Sequence, residues 1–341
     1  METFKLPQHL EKVGIKRFAD KKPDKPGKIQ TLKKNNYCVV GGFSITGEAP
    51  KSFIRVYEYK IRGKCRKANK GTWTLYIAKT GHKFYPLESI TEYLIARIGE
   101  VLGLDMAYSR LLFDGTQIRF LSRYFLNPAT QELVHGSNIL SQYLNDRALV
   151  EDIEKNRLEK ELFTLEETIK AIEVCFPDDY SLILEKFFLM LFFDAWVGVQ
   201  DRHYYNWGVV RHIDNKHRPY FSPIYDSARG LFWNEFEGKI LELKKYKQLD
   251  QLIENRMKKS QPQFCIVNKP NINHFDLVQH VWENGLIEKP SYFQQIFSHD
   301  SFDAVKKMVI KEFFSLLGRE RVELILQCLT KRHEKIYSMM T

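Results

Sequence analysis

The sequence predicts an α+β fold in two lobes, a small β-rich N-lobe followed by a larger helical C-lobe. Three observations predict it. Strand-like runs fill residues 37–121 around a single helical pattern. From about residue 135 the apolar residues recur with helical period. One of the greasiest segments, LILEKFFLMLFFDAWVGV at 182–199, ends abruptly in the polar stretch QDRHYYNWG at 200–208.

The chain of 341 residues is 44% hydrophobic and 13% aromatic, enough for one large domain or two closely packed lobes. Nothing at the N-terminus resembles a signal peptide. The run at 182–199 approaches membrane length but contains Glu185, Lys186 and Asp194, so a buried core helix is the better reading. The five cysteines, Cys38, Cys65, Cys175, Cys265 and Cys328, are odd in number and form no C-x-x-C pair. That disfavours a disulfide framework or a cysteine-built zinc site and fits a reducing, cytoplasmic location.

Net charge is +10, and part of the excess is local. Residues 1–36 hold ten Lys/Arg against four Asp/Glu, and residues 55–70 hold seven against Glu58. This is either a solvated tail and hairpin, the favoured reading, or an electrostatic footprint for nucleic acid or an acidic partner, and no nucleic-acid recognition motif accompanies the charge.

Along the chain, residues 1–36 read as a basic lead-in with Pro7, Pro23, Pro26 and Gly27. The N-lobe, 37–130, then has strand-like runs at 37–40, 53–59 and 72–78, rich in β-branched and aromatic residues. A helix follows at 88–102, with Ile90, Leu94, Ile98, Val101 and Leu102 on one stripe and Gly103 as its stop. Strands at 109–113 and 117–121 are joined by Asp114-Gly115, a hairpin-turn signature. The C-lobe, 131–341, predicts helices at 138–146, 148–160, 165–175, 179–197, 274–284, 301–316 and 319–337. Short strands and loops fill 200–235.

Asp201 and Asn206 are five residues apart. On a helix their directions differ by about 140°, so they share a site only in a loop. A second strand-like stretch, YFSPIYDSARG, ends at Asp226. An aspartate, an asparagine five residues on, and another aspartate some way beyond are what phosphoryl transfer needs. One carboxylate orients the attacking hydroxyl, while the amide and the second carboxylate hold Mg²⁺. Such a site also needs a phosphate cradle and a lysine. GGFSITGEAPK at 41–51 lies between strands, but Glu48-Ala49 replaces the Lys-Ser/Thr of a P-loop. It is either an ordinary Gly-Gly hairpin or a glycine-rich loop in which backbone N–H groups, Ser44 and Thr46 reach phosphate. Lys79, leaving an apolar strand, is either a strand-end lysine in water or a phosphate-binding lysine. Glu92, on the 88–102 helix with Ile95, Ala96 and Gly99, is either exposed or turned inward to orient Lys79. The chain order of loop, lysine, glutamate, strand pair, helical lobe, Asp/Asn loop and second aspartate is that of a protein-kinase-like fold.

On these residues the chain resembles the HipA-like serine/threonine kinases, known as toxins of bacterial toxin–antitoxin systems, over about 40–335. SITGEAPK at 44–51 is similar to the family's S-x-x-G-x-x-x-K loop, and TEYLIARIGEVLGL at 91–104 to its helix. The resemblance implies Asp201 as catalytic base, Asn206 and Asp226 as Mg²⁺ ligands, and Lys79 on the α/β-phosphates. It implies that Thr46, Gly47, Glu48, Ala49, Pro50 and Lys51 cover the ATP phosphates, with Ser44 or Thr46 as autophosphorylation candidates. Ser122, Arg123 and Tyr124 fall at the adenine hinge, and Tyr225 precedes the metal aspartate. His203 braces the loop or faces phosphate. The implied cofactors are ATP and Mg²⁺. The implied partners are a protein substrate, such as an aminoacyl-tRNA synthetase, and an antitoxin that binds DNA. The chain departs from the family in having only 36 residues before the first strand and Thr91 where Asn is usual. Two alternatives share these motifs: a phosphoinositide-type lipid kinase, in which D-R-H-x-x-N also occurs, and a pseudokinase scaffold in an antitoxin complex. A zinc hydrolase is disfavoured because His203 and His212 lack i,i+4 spacing.

Overall fold

The computed structural model describes residues 29–41, 51–59, 65–81, 85, 87–115, 118–214 and 216–341. Ser44, Thr46, Gly47, Glu48, Ala49 and Pro50 lie outside them.

A mixed six-stranded sheet comes first. Its strands are β1 (Gln30–Thr31), β2 (Tyr37–Val39), β3 (Lys51–Val56), β4 (Thr74–Lys79), β5 (Ser109–Phe113) and β6 (Ile118–Arg123), in the order β1-β5-β6-β4-β3-β2. The β1–β5 pair is parallel and the others are antiparallel. So a stretch read from sequence as lead-in supplies an edge strand, too short at two residues to show a period. Alternation along β3 and β4 buries Ile54, Val56, Tyr76 and Ala78 on one face. The register sets Lys51 opposite Lys79. Two like charges in cross-strand positions repel unless something neutralises them.

Helix α1 (Glu88–Val101) crosses the sheet, packing on β5 and β6. Of the predicted stripe Ile90, Leu94, Ile98 and Leu102 are buried and Val101 is half-buried, while Glu88 and Glu92 are buried on a neighbouring face.

The rest is helical around a three-stranded sheet, β7 (Gln131–His135), β8 (Gly208–His212) and β9 (Tyr220–Phe221). Helices α2 (Gly136–Leu144), α3 (Arg147–Asn156), α4 (Glu159–Leu162), α5 (Leu165–Cys175) and α6 (Tyr180–Val197) follow β7. The single helix expected at 148–160 is two, because Arg157 turns left-handed at φ 58° and ends α3. Beyond β9 lie α7 (Glu237–Lys245), α8 (Leu249–Lys259), α9 (His274–Glu283), α10 (Pro290–Ile296), α11 (His299–Leu317) and α12 (Arg319–Met340). Local chemistry starts several of them: Thr164 and Glu167 form a capping box on α5, and Asn273 and Asp276 one on α9.

Helix α6 is the greasy run. It packs against α5, α9, α12 and β9, and every residue from Phe187 to Val197 is buried. Each fully buried Phe or Trp contributes roughly 1.5–3 kcal/mol relative to exposure. A helix held on all sides is a fixed platform for whatever leaves its end. It stops at Gly198, whose φ of 66° is left-handed and where a Cβ would lie 2.8 Å from the Arg332 guanidinium. Among the described residues no helix is long and apolar enough to cross a membrane, and all five cysteines are free.

Candidate active site

The loop leaves α6 at Gly198, carries Asp201 three residues later and returns as β8. It is not helical, as the five-residue spacing required. Its shape is dictated by Arg202, which is 1% exposed in its side chain. The guanidinium makes a two-pronged ion pair with Asp194 of α6, Nε to Oδ2 at 2.8 Å and Nη2 to Oδ1 at 2.9 Å. Its remaining hydrogens go to the Asn206 carbonyl at 3.1 Å, the Tyr225 carbonyl and Ser227 Oγ at 2.7 Å. One side chain thus ties the helix end, the Asp201–Asn206 loop and the Asp226 segment together. His274 adds a bond from Nε2 to the Val199 carbonyl at 2.6 Å. Burial drives that histidine's pKa down to about 3, so it is neutral and donates.

Within the loop, Asn206 Nδ2 donates to the Asp201 carbonyl at 2.6 Å. That closes the turn and fixes the amide relative to Asp201. The Asp201 carboxylate is 38% exposed and lies 3.5 Å from Arg229 Nη1. His203 Nδ1 accepts from the Tyr205 amide at 3.3 Å. Burial lowers the His203 pKa, opposed by Asp201 and Asp226. Tyr225 donates to the Tyr205 carbonyl at 2.8 Å and packs on Phe125.

Asp226 adopts φ 52°, a left-handed conformation unusual for a residue with a Cβ. That backbone turn directs its carboxylate toward the sheet. Lys79 Nζ meets Asp226 Oδ1 at 2.7 Å and Glu92 Oε1 at 2.6 Å. Lys51 Nζ meets Asp226 Oδ2 at 3.2 Å. The cross-strand lysines are therefore balanced by two carboxylates, Asp226 bridging both and Glu92 pairing with Lys79. Of the two readings open for Glu92, the inward one holds: it is 4% exposed and paired with Lys79.

The electrostatics follow from the count of charges. Burial raises the carboxyl of Asp226, but two ammonium groups overcome it and hold its pKa below the usual carboxylate range. Burial would lower Lys79, yet Asp226 and Glu92 hold it above the ordinary lysine value. Glu92 shares that one lysine with Asp226, and burial wins, pushing it up to about 7. Two carboxyls about one lysine are thus driven apart, one firmly ionised and one near neutrality.

Lys51, Lys79, Glu92 and Asp226 converge through ion pairs, and Asp201, Asn206, Tyr225 and Asp226 through the Arg202 brace. Ser122 and Arg123 lie on β6 in register with Ile77 and Tyr76 of β4, on the strand that also borders Lys79. Tyr124 follows, donating its backbone N–H to the Leu75 carbonyl and packing edge-on to Phe53. His212 pairs with Gln131 and packs at a tilt against His217, serving β8 rather than the loop. Among the described residues no three His, Cys, Asp or Glu side chains are grouped as a metal centre. Arg202 is the residue that the motif reading passed over. The clue was Asp194, a lone carboxylate in an eleven-residue buried run that requires a cation.

Two solved structures are similar to the chain. The Helicobacter pylori proinflammatory kinase CtkA matches with a TM-score of 0.64 and 17% identity, covering 84% of this chain and 92% of its own. HipA of a Shewanella oneidensis MR-1 toxin–antitoxin system, solved with HipB and its operator DNA, matches with a TM-score of 0.46 and 13% identity, covering 100% of this chain and 73% of its own. At these identities the likeness to CtkA is one of fold: a curled sheet with packed helices. No curated protein matches the sequence. The sequence model of the HipA-like C-terminal domain matches residues 43–274, more than half of the chain, and the chain belongs to that family.

Proposed function

We propose that the protein is an ATP-dependent serine/threonine protein kinase and the toxin of a bacterial toxin–antitoxin system. The observation that carries the chemistry is the pairing of Lys79 with both Glu92 and Asp226, in a site whose Asp201 loop and Asp226 segment share one arginine brace. Family membership and the fold shared with a kinase support the same reading.

The donor set fits Mg²⁺ and a nucleotide. Asn206 and Asp226 offer an amide and a carboxylate oxygen, the hard ligands Mg²⁺ takes. Lys51 and Lys79, side by side on adjacent strands, carry the positive charge that triphosphate oxygens require. When bound, Mg²⁺ neutralises charge on the β- and γ-phosphate oxygens. Asp201 accepts the proton of the attacking hydroxyl, since its carboxylate is 38% exposed on the loop, where a substrate hydroxyl can reach it. Glu92 orients Lys79, and Asn206 holds Asp201 in place through its carbonyl. Ser122, Arg123 and Tyr124 border the adenine. Thr46 to Lys51 cover the phosphates, with Ser44 or Thr46 as a self-modification site. Phosphate there adds about −1.5 to −2 charge and expels the loop from the triphosphate site.

In this reading the substrate is a cytoplasmic protein, such as an aminoacyl-tRNA synthetase, and an antitoxin restrains the kinase. The test is incubation with γ-labelled ATP, Mg²⁺ and either cell lysate or phosphoinositide vesicles. Labelled protein, lost in Asp201→Asn and Asp226→Asn, is the expected result. Label confined to lipid would identify a lipid kinase, and no label in any fraction would favour a scaffold.

A further inference from the structure

Arg229 lies three residues past Asp226 in the YFSPIYDSARG stretch and has no role in the phosphoryl-transfer reading above. Its Nη1 is 3.5 Å from Asp201 Oδ2, and its Nε is 3.9 Å from Glu88 Oε1, at the outer edge of ion-pair range. The guanidinium stacks over Trp233 at 5.3 Å, which limits its rotamers. Glu88 is the first residue of α1, only 7% exposed, and one turn from Glu92 on the same face. Helix α1 thus presents two buried carboxylates in sequence, Glu92 to the lysine cluster and Glu88 to the arginine beside the proposed base.

The backbone reinforces this link. The Gln200 amide donates to the Arg229 carbonyl at 3.0 Å, and the Leu231 amide to the Val197 carbonyl at 2.8 Å, so the segment is laced to the Asp201 loop. Gly230 between them closes on α1: a Cβ there would lie 2.7 Å from Ile95 Cδ1 and 2.9 Å from the Val197 carbonyl. The Arg229–Gly230 unit therefore touches α1 on one side and the Asp201 loop on the other.

We infer that Arg229 is a positioning residue coupling α1 to Asp201, an inference that rests on the phosphoryl-transfer reading. Movement of α1 that separates Glu92 from Lys79 also withdraws Glu88 from Arg229, and the aspartate loses the cation that orients it. Lysine placement and base placement then change together. Loss of either carboxylate contact releases both ends of the site.

The test uses the full chain as wild type, Arg229→Gln, Arg229→Lys, Glu88→Gln and the Glu88→Gln/Arg229→Gln double variant. Phosphoryl transfer is followed with γ-labelled ATP, and backbone hydrogen exchange is followed without nucleotide. Arg229→Gln is expected to lower kcat roughly 10- to 100-fold, the scale of a small misplacement of a reacting group. KM for ATP should stay within roughly threefold, since the phosphate contacts are not removed. Arg229→Lys should recover part of the loss, and the double variant should be no worse than Arg229→Gln alone. Glu88→Gln should also speed exchange across 199–206. Losses that multiply in the double variant, or exchange at 199–206 unmoved by Glu88→Gln, would overturn the coupling. If the wild type transfers no phosphate, the kinase reading fails by itself, and the exchange arm still decides whether α1 and the loop are linked.

Discussion

The Asp194–Arg202 brace and the Lys51–Lys79–Glu92–Asp226 cluster meet at the same site but differ in their physics. The brace is a 1:1 ion pair, fully buried, with the arginine's remaining hydrogens spent on backbone carbonyls and a serine. It holds shape. The cluster has two cations and two carboxylates drawn from β3, β4, α1 and the Asp226 segment, and Asp226 is 26% exposed. It holds charge that a ligand can redistribute. Structural rigidity and chemical availability are thus assigned to different side chains a few residues apart.

Four measurements can break or sharpen that contrast. The largest effect is expected at the proposed base, Asp201, whose side chain is bonded to neither the brace arginine nor the lysine cluster. Asp201→Asn should cost transfer about 10²- to 10⁴-fold, the range of general-base catalysis. It should move folding stability by no more than about 0.5 kcal/mol, because the side chain is partly exposed. Urea unfolding alongside activity checks both.

Next comes the brace. Arg202→Met strands the Asp194 carboxylate in an apolar helix and should destabilise by about 3–5 kcal/mol. Adding Asp194→Leu should restore much of the stability but not the activity, since the Asn206 and Tyr225 carbonyls still lack their shared donor. If the double variant recovers activity as well, the brace is only packing, and the contrast fails.

Glu92→Gln tests the cluster. It should reduce kcat/KM for ATP by roughly 10- to 100-fold through misplacement of Lys79. Its pH signature has a definite sign. The folded pKa of Glu92, near 7, is raised above its unfolded value, so its contribution is fully present below the unfolded value and is lost as pH rises toward 7. The wild type should therefore lose up to about 1.4 kcal/mol per pH unit relative to Glu92→Gln across that window.

The smallest effect, of opposite sign, concerns the brace. His274 has a folded pKa near 3, depressed below its unfolded value. Its contribution is present above about 6.5 and is lost as pH falls toward 3, again by up to about 1.4 kcal/mol per unit. Chemical denaturation from pH 7.5 to 5, compared with His274→Gln, should show it. A slope of the same sign in both networks would contradict the environments described for them.

Much of this was legible before the structure. The β-branched and aromatic content of β3 and β4, the stripe of α1 and the apolar run of α6 each follow from their own residues. The five-residue spacing of Asp201 and Asn206 ruled out a shared helical face and favoured a loop. Other features were hidden for identifiable reasons. β1 is too short to show a period. α7 and α8 each bury a single isoleucine, Ile240 and Ile253, so their apolar faces hardly register in the sequence. Arg202 looked like one more charge in a polar loop, although Asp194 demanded a partner. Arg229 carries no motif, and its neighbours Asp201 and Glu88 lie 28 and 141 positions before it.

The sequence by itself determined the order of the longer elements, the loop setting of Asp201 and Asn206 and the residue types available for phosphoryl transfer, because periodicity and short spacings act within a few residues. Tertiary structure alone decided which lysine meets which carboxylate. Lys51 and Lys79 reach Asp226 across 175 and 147 positions. That contact exists only because strand register sets the lysines side by side, burial brings Glu92 inward, and one arginine holds the Asp226 turn where both cations can meet it.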